Sequence, residues 1–251
     1  MAARAENPVP DPFPDPTSDP SIEHNYLVGL TLQACEVART AVAHAADGIA
    51  SNAPPLFLAV DECEKELDAL DRELDERLTH ALGNGSDAQR RELLCCMKFM
   101  TDLERIGDLV STFASGARAL GPRLEPQDVQ DLIRIASILE KMLADVRQAF
   151  SARDLDRAIS VLRTDAEIDR LRNLMFVRHV ENPEGQPTRE SIQVLFMAQS
   201  LERAGDHAKN CAEEICHFVS GHTLRHVLRS NGKSHEQMFL DWLKQNRVKT
   251  R

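Results

Sequence analysis

An all-α fold made of two tandem antiparallel three-helix bundles is predicted by three observations on this 251-residue sequence. Strand-forming residues are scarce, with aromatics at 4% and only 11 glycines, and no stretch alternates Val, Ile and Thr with polar residues. Six long segments instead carry apolar residues at helical spacing, separated by short breaks that imply antiparallel neighbours. Finally, Leu103-Glu104-Arg105-Ile106-Gly107-Asp108 returns as Leu201-Glu202-Arg203-Ala204-Gly205-Asp206, so a whole unit is duplicated.

Taken in order, residues 1–20 hold repeated Pro beside Asp, which removes backbone donors and offers nothing to bury; they read as a disordered leader. Helical patterns then cover about 21–51, 54–82 and 87–120, broken at Asn52 to Pro55 and Gly83 to Ser86 and stopped by Gly121-Pro122. Residues 21–122 thus form the first bundle. A second bundle over 123–221 repeats the scheme, with patterns at about 126–151, 154–181 and 188–221 and breaks at Ser151 to Asp154 and Asn182 to Pro187. Arg91-Glu92 stands in the same register as Arg189-Glu190, and Glu64-x-Glu66-Leu67-Asp68-x-Leu70 matches Asp165-x-Glu167-Ile168-Asp169-x-Leu171. Residues 222–251 are a basic tail, with a short apolar side at Phe239, Trp242 and Leu243.

Composition excludes several functions. A formal net charge of -10, with no cationic stripe along the helices, argues against nucleic-acid binding. No apolar run approaches the roughly 18 residues that cross a bilayer, so a membrane role would have to come through a partner. The six cysteines lie inside helical patterns without a Cys-x-x-Cys, as reduced core thiols of a cytoplasmic protein would.

The informative constellation is acidic. Each half carries two pairs of acids four residues apart on a helix: Glu64/Asp68 with Glu104/Asp108, and Asp165/Asp169 with Glu202/Asp206. Such residues share one helix face, where like charges repel and need compensation. Among 40 acids a single pair means little, but the pairs in the third and sixth patterns continue apolar stripes, through Met97 and Met100 in one and Leu195 and Ala198 in the other. Two explanations follow. A multivalent cation could neutralise the set, and all-oxygen ligands suit hard ions such as Mg, Mn, Ca or Fe. Alternatively the faces are solvated, or paired with Arg105, Arg170 and Arg203.

Gly107 and Gly205, each one residue before the second acid, point to close approach of either a ligand or a neighbouring helix. Asn210 and Glu213 extend the acidic face of the second copy where Thr112 and Ser115 stand in the first, so the second copy reads as the better furnished. His207 points about 100° away from Asp206 around the helix and is the weaker ligand candidate. His217, His222 and His226 have metal-compatible spacing but straddle Gly221, and a lone Glu214-x-x-His217 falls short of a di-iron oxidase. No nucleophile motif, phosphate loop or His-Glu-x-x-His is present.

With its doubled Leu-Glu-Arg-x-Gly-Asp phrase, extended in the second copy to His207-Ala208-Lys209-Asn210-Cys211-Ala212-Glu213, the sequence resembles the PhoU family over roughly residues 22–221. The resemblance implies tandem three-helix bundles and a multinuclear metal cluster, of iron or zinc, held by Glu64, Asp68, Glu104 and Asp108 and by Asp165, Asp169, Glu202 and Asp206. It further implies a negative regulator of phosphate uptake that contacts the ATPase subunit of the phosphate ABC transporter and a phosphate-sensing histidine kinase at the inner membrane, with homodimerisation left open. The competing expectations are a carboxylate metalloenzyme of the phosphohydrolase kind and a metal-free helical adaptor.

Overall fold

The computed structural model describes residues 20–181 and 188–220. The leader expected over 1–20 falls outside them except at its last residue, and the turn around 182–187 and the basic tail fall outside them altogether. The described residues form six α-helices, a single 3-10 turn and no strand: α1 (Pro20–Ser51), α2 (Pro54–Asn84), α3 (Asp87–Leu120), α4 (Pro126–Ala152), α5 (Leu155–Val180) and α6 (Arg189–Ser220).

Local chemistry explains where these helices stop and start. Pro54 and Pro126 open α2 and α4 at positions where a missing N–H costs nothing. Ser86 accepts from the Gln89 amide while the Gln89 side chain accepts from the Ser86 amide, a reciprocal cap that satisfies two otherwise orphaned donors of α3. The Asp154 carboxylate does the same for the Arg157 amide at the start of α5. Gly121 ends α3 at φ 51°, in the left-handed half of the map that a Cβ disfavours.

Helices α1, α2 and α3 pack on one another, and α4, α5 and α6 do likewise. The halves meet along two antiparallel seams. Arg39 bonds Glu140 at 2.6 Å and the Arg147 guanidinium bonds the Leu32 carbonyl at 3.3 Å, which sets α1 against α4. Lys98 pairs with Glu214 at 2.7 Å across α3 and α6, while a Cβ on Gly116 would stand 2.8 Å from Met197 Cγ at the other end. The result is a central four-helix layer of α1, α3, α6 and α4, with α2 and α5 laid on its flanks. One continuous apolar core runs through it, including the fully buried Phe99, Phe113, Leu132 and Ile135. Burial of that surface is the main favourable contribution to the fold.

The duplication recurs in polar detail. In the first half, Arg77 near the end of α2 reaches the buried Glu23 near the start of α1, at 3.4 Å. In the second, Arg178 near the end of α5 reaches the buried Asp128 near the start of α4, at 2.6 Å. Each bond ties the outer helix to the first helix of its own bundle.

Candidate functional site

The eight acids singled out by spacing lie along two helix pairs, α2 with α3 and α5 with α6. In both pairs the helices approach at the repeated glycine. A Cβ on Gly107 would lie 2.7 Å from Leu67 Cδ1, and one on Gly205 would lie 3.0 Å from Ile168 Cδ1. Of the two roles open to these glycines, close helix packing is the one the coordinates display. This packing brings the acids of the neighbouring helices alongside each other.

In the first bundle the carboxylates act on one another. Burial raises the Glu64 carboxyl above the usual range, and Asp68, Asp108 and Asp61 push it further the same way. Glu104 is likewise raised, by burial and by Asp108, with Asp68 and Asp71 adding to the effect and Arg105 opposing it. Asp71, absent from the spacing argument, is raised by burial and by Asp75 and Asp68. Among the described residues only Arg105 approaches Glu104 and Asp108, at 3.5 and 3.4 Å, and its side chain is 58% exposed, so solvent screens it. Glu64, Asp68, Glu104 and Asp108 are all partly exposed, at the margin of the core rather than within it.

The second bundle differs. Asp165 and Glu202 are truly buried, and each meets a cation. Lys209 Nζ donates to Asp165 Oδ2 at 2.6 Å, and Arg172 Nη2 donates to Glu202 Oε1 at 3.0 Å, with the Gln199 amide donating to the other oxygen of Glu202. Burial raises the Asp165 carboxyl, and Lys209 pulls it back. For Lys209, burial works to lower the pKa, but the bond and charge of Asp165 outweigh it. Asp169 is partly exposed and Asp206 exposed.

Asn210, expected to furnish the second copy, turns elsewhere, and so does His207, the weaker ligand candidate. His207 Nδ1 lies 2.7 Å from Asp102 Oδ1, and the Asn210 amide donates to the same oxygen at 3.1 Å. Both therefore belong to the seam between α3 and α6. Of the arginines considered as partners, Arg105 pairs with Glu104 and Asp108 of its own motif, whereas Arg170 bonds Glu167 instead. Reasoning from spacing missed Asp71, Arg172 and Lys209. The signal was available, since aligning the halves sets Asp71 against Arg172 and Ser111 against Lys209.

All-carboxylate donors suit a hard cation in chemistry. Among the described residues, however, no three His, Cys, Asp or Glu side chains converge where an ion could be held. Binding on the first face would require its partly exposed carboxylates to converge.

Comparison with known proteins gives the same doubled unit. The model of the PhoU domain family matches residues 31–116 and again 132–215, most of the chain. This chain belongs to the PhoU family. It is 32% identical over 176 residues to a phosphate-specific transport system accessory protein PhoU homolog of Pseudomonas aeruginosa, a match covering 67% of this chain and 72% of that one. A Caulobacter vibrioides protein of the same description is 31% identical over 188 residues, covering 72% and 81%. Among solved structures, the crystal structure of PhoU from Pseudomonas aeruginosa superposes with a TM-score of 0.74 at 26% identity, over 81% of this chain and all of that one. The phosphate transport system regulatory protein PhoU from Streptococcus pneumoniae gives a TM-score of 0.75 at 19% identity, which speaks to the fold alone. The family fold thus accounts for the paired bundles. Lys209 and Arg172 bring cations to the second acidic face where the first has Ser111 and Asp71.

Proposed function

We propose that this chain is an accessory protein of a phosphate-specific transport system that represses phosphate uptake through protein contacts, without catalysing a reaction of its own. The carrying observation is the doubled family match, which spans both bundles and joins the chain to relatives described as accessory proteins of phosphate transport. The partners that fit are the ATPase subunit of the phosphate transporter and a phosphate-sensing histidine kinase. No described helix is long and apolar enough to cross a membrane, so contact with a membrane complex would be peripheral. Exposed apolar side chains where α5 ends and α6 begins, among them Leu174, Val177, Ile192 and Phe196, supply surface for such contacts.

The metal forms part of this proposal. Iron, zinc or another divalent ion would bind the first acidic face through Glu64, Asp68, Glu104 and Asp108, with Asp71 beside them, and relieve their mutual repulsion. The test joins three measurements: a phosphate-starvation reporter in a deletion strain, recovery of transporter or kinase by pull-down at high phosphate, and elemental analysis of protein purified without chelator. Derepression, a recovered partner and metal lowered by Glu104→Gln are expected. Turnover of a phosphate ester that depends on metal and is abolished by Glu104→Gln, with no partner recovered, would overturn the regulator in favour of an enzyme.

A further inference from the structure

We infer that the second bundle carries its own cations in place of metal, so that any demand of this chain for a divalent ion is confined to the first bundle. Duplication makes the comparison internal. Arg172 on α5 stands where the first bundle has Asp71 on α2, and Lys209 on α6 stands where it has Ser111 on α3. Both exchanges put a positive charge on the same acidic face. Both cations are engaged, Lys209 with Asp165 at 2.6 Å and Arg172 with Glu202 at 3.0 Å.

Burial follows the exchange. The two acids that meet a cation from the facing helix, Asp165 and Glu202, are the two that sink into the core, at 4% and 9% exposure, whereas Glu104 and Asp108 meet only the exposed Arg105 of their own helix. Their first-bundle counterparts Glu64 and Glu104 remain partly exposed. This is the order expected if charge compensation decides how deep a carboxylate can go, because a buried charge is tolerated only when paired. An entering divalent ion would have to displace an ammonium and a guanidinium that already satisfy these oxygens, and would face their repulsion. Asp169 and Asp206 remain at the surface of that bundle, but the two buried acids are already committed.

The inference deepens the proposed metal reading without depending on its success, and a reciprocal exchange tests it. Lys209→Ser with Arg172→Asp gives the second bundle the residues of the first; Asp71→Arg with Ser111→Lys does the reverse. Bound Mn2+ is counted by equilibrium dialysis, reading free ion by electron paramagnetic resonance, with circular dichroism confirming that each variant is folded. The wild type should lose its Mn2+ on Glu104→Gln and keep it on Glu202→Gln. The Lys209/Arg172 variant should gain about one further Mn2+ per chain, melt lower in chelator than the wild type, and recover on adding Mn2+. The Asp71/Ser111 variant should lose the wild-type ion.

Should the wild type bind no Mn2+ while the Lys209/Arg172 variant does, the metal reading of the first bundle fails and the present inference stands. Equal loss of Mn2+ from Glu202→Gln and Glu104→Gln would overturn it, as would a folded Lys209/Arg172 variant that gains none. If that variant does not fold, the Glu202→Gln and Asp165→Asn single variants decide the matter by the same count.

Discussion

Replacing Gly107 by Ala probes the contact that sets α2 against α3. The added Cβ would lie 2.7 Å from Leu67 Cδ1, whereas carbons in contact rest about 3.5–4.0 Å apart. Leu67 is 1% exposed and its neighbours are packed, so relieving an overlap of roughly 1 Å means shifting α2 or forcing a poor rotamer, at about 1–3 kcal/mol. Against this, Ala is better than Gly in a helix by about 1 kcal/mol. The net expectation runs from neutral to a loss of about 2 kcal/mol, or a fall in Tm of up to roughly 4–8 °C. Gly205 is the internal control. Its added Cβ would meet Ile168 Cδ1 at 3.0 Å and Asp165 Oδ1 at 3.6 Å, a milder clash that the helical gain can balance. Gly205→Ala should therefore be more stable than Gly107→Ala by up to about 2 kcal/mol, read from urea unfolding followed by circular dichroism. Combining Gly107→Ala with Leu67→Ala should cost less than the sum of the single changes, because the second removes the atom that the first strikes. Strict additivity, or a Gly107→Ala protein more stable than Gly205→Ala, would refute this account of the glycines.

Three other outcomes are expected. Arg178→Ala strips the buried Asp128 of its 2.6 Å partner and leaves it with His179 at 2.9 Å, so unfolding in urea should show a loss of about 1–3 kcal/mol, more than Arg77→Ala produces at its looser 3.4 Å pair. Burial pushes the thiols of Cys35, Cys96 and Cys216 up to about 12 and raises those of Cys95, Cys211 and Cys63 as well, but Cys63 alone of the six is partly exposed, so native protein at about pH 8 should take iodoacetamide there, and mass spectrometry should find all 6 cysteines modified after denaturation. In chelator, the raised Glu64 and Glu104 carboxyls bind protons more tightly in the native than in the unfolded chain. Their contribution to stability is therefore greatest when they are protonated and declines as pH rises from the ordinary carboxylate range through the raised native values. Glu104→Gln should flatten that slope in urea midpoints, and a slope left steeper by the substitution would count against mutual repulsion.

Sequence alone suffices to place the helices and to reveal their duplication. Their ends are written in local chemistry, in Pro54 and Pro126, in the Ser86 and Gln89 pair, and in Asp154 before Arg157, and such signals act within one turn of chain. It also determined that the acids of each pair share a face, because spacing fixes direction around a helix axis. What stands opposite that face is a matter of how the helices pack. Arg172 meets Glu202 from another helix, and His207 turns to Asp102 across the seam between the halves. Whether an acid is repelled, paired or left to solvent depends on which side chain of a different helix arrives within a few ångströms. That is settled by how the helices pack, here by Gly107 against Leu67 and Gly205 against Ile168, and no periodicity along a single helix carries it.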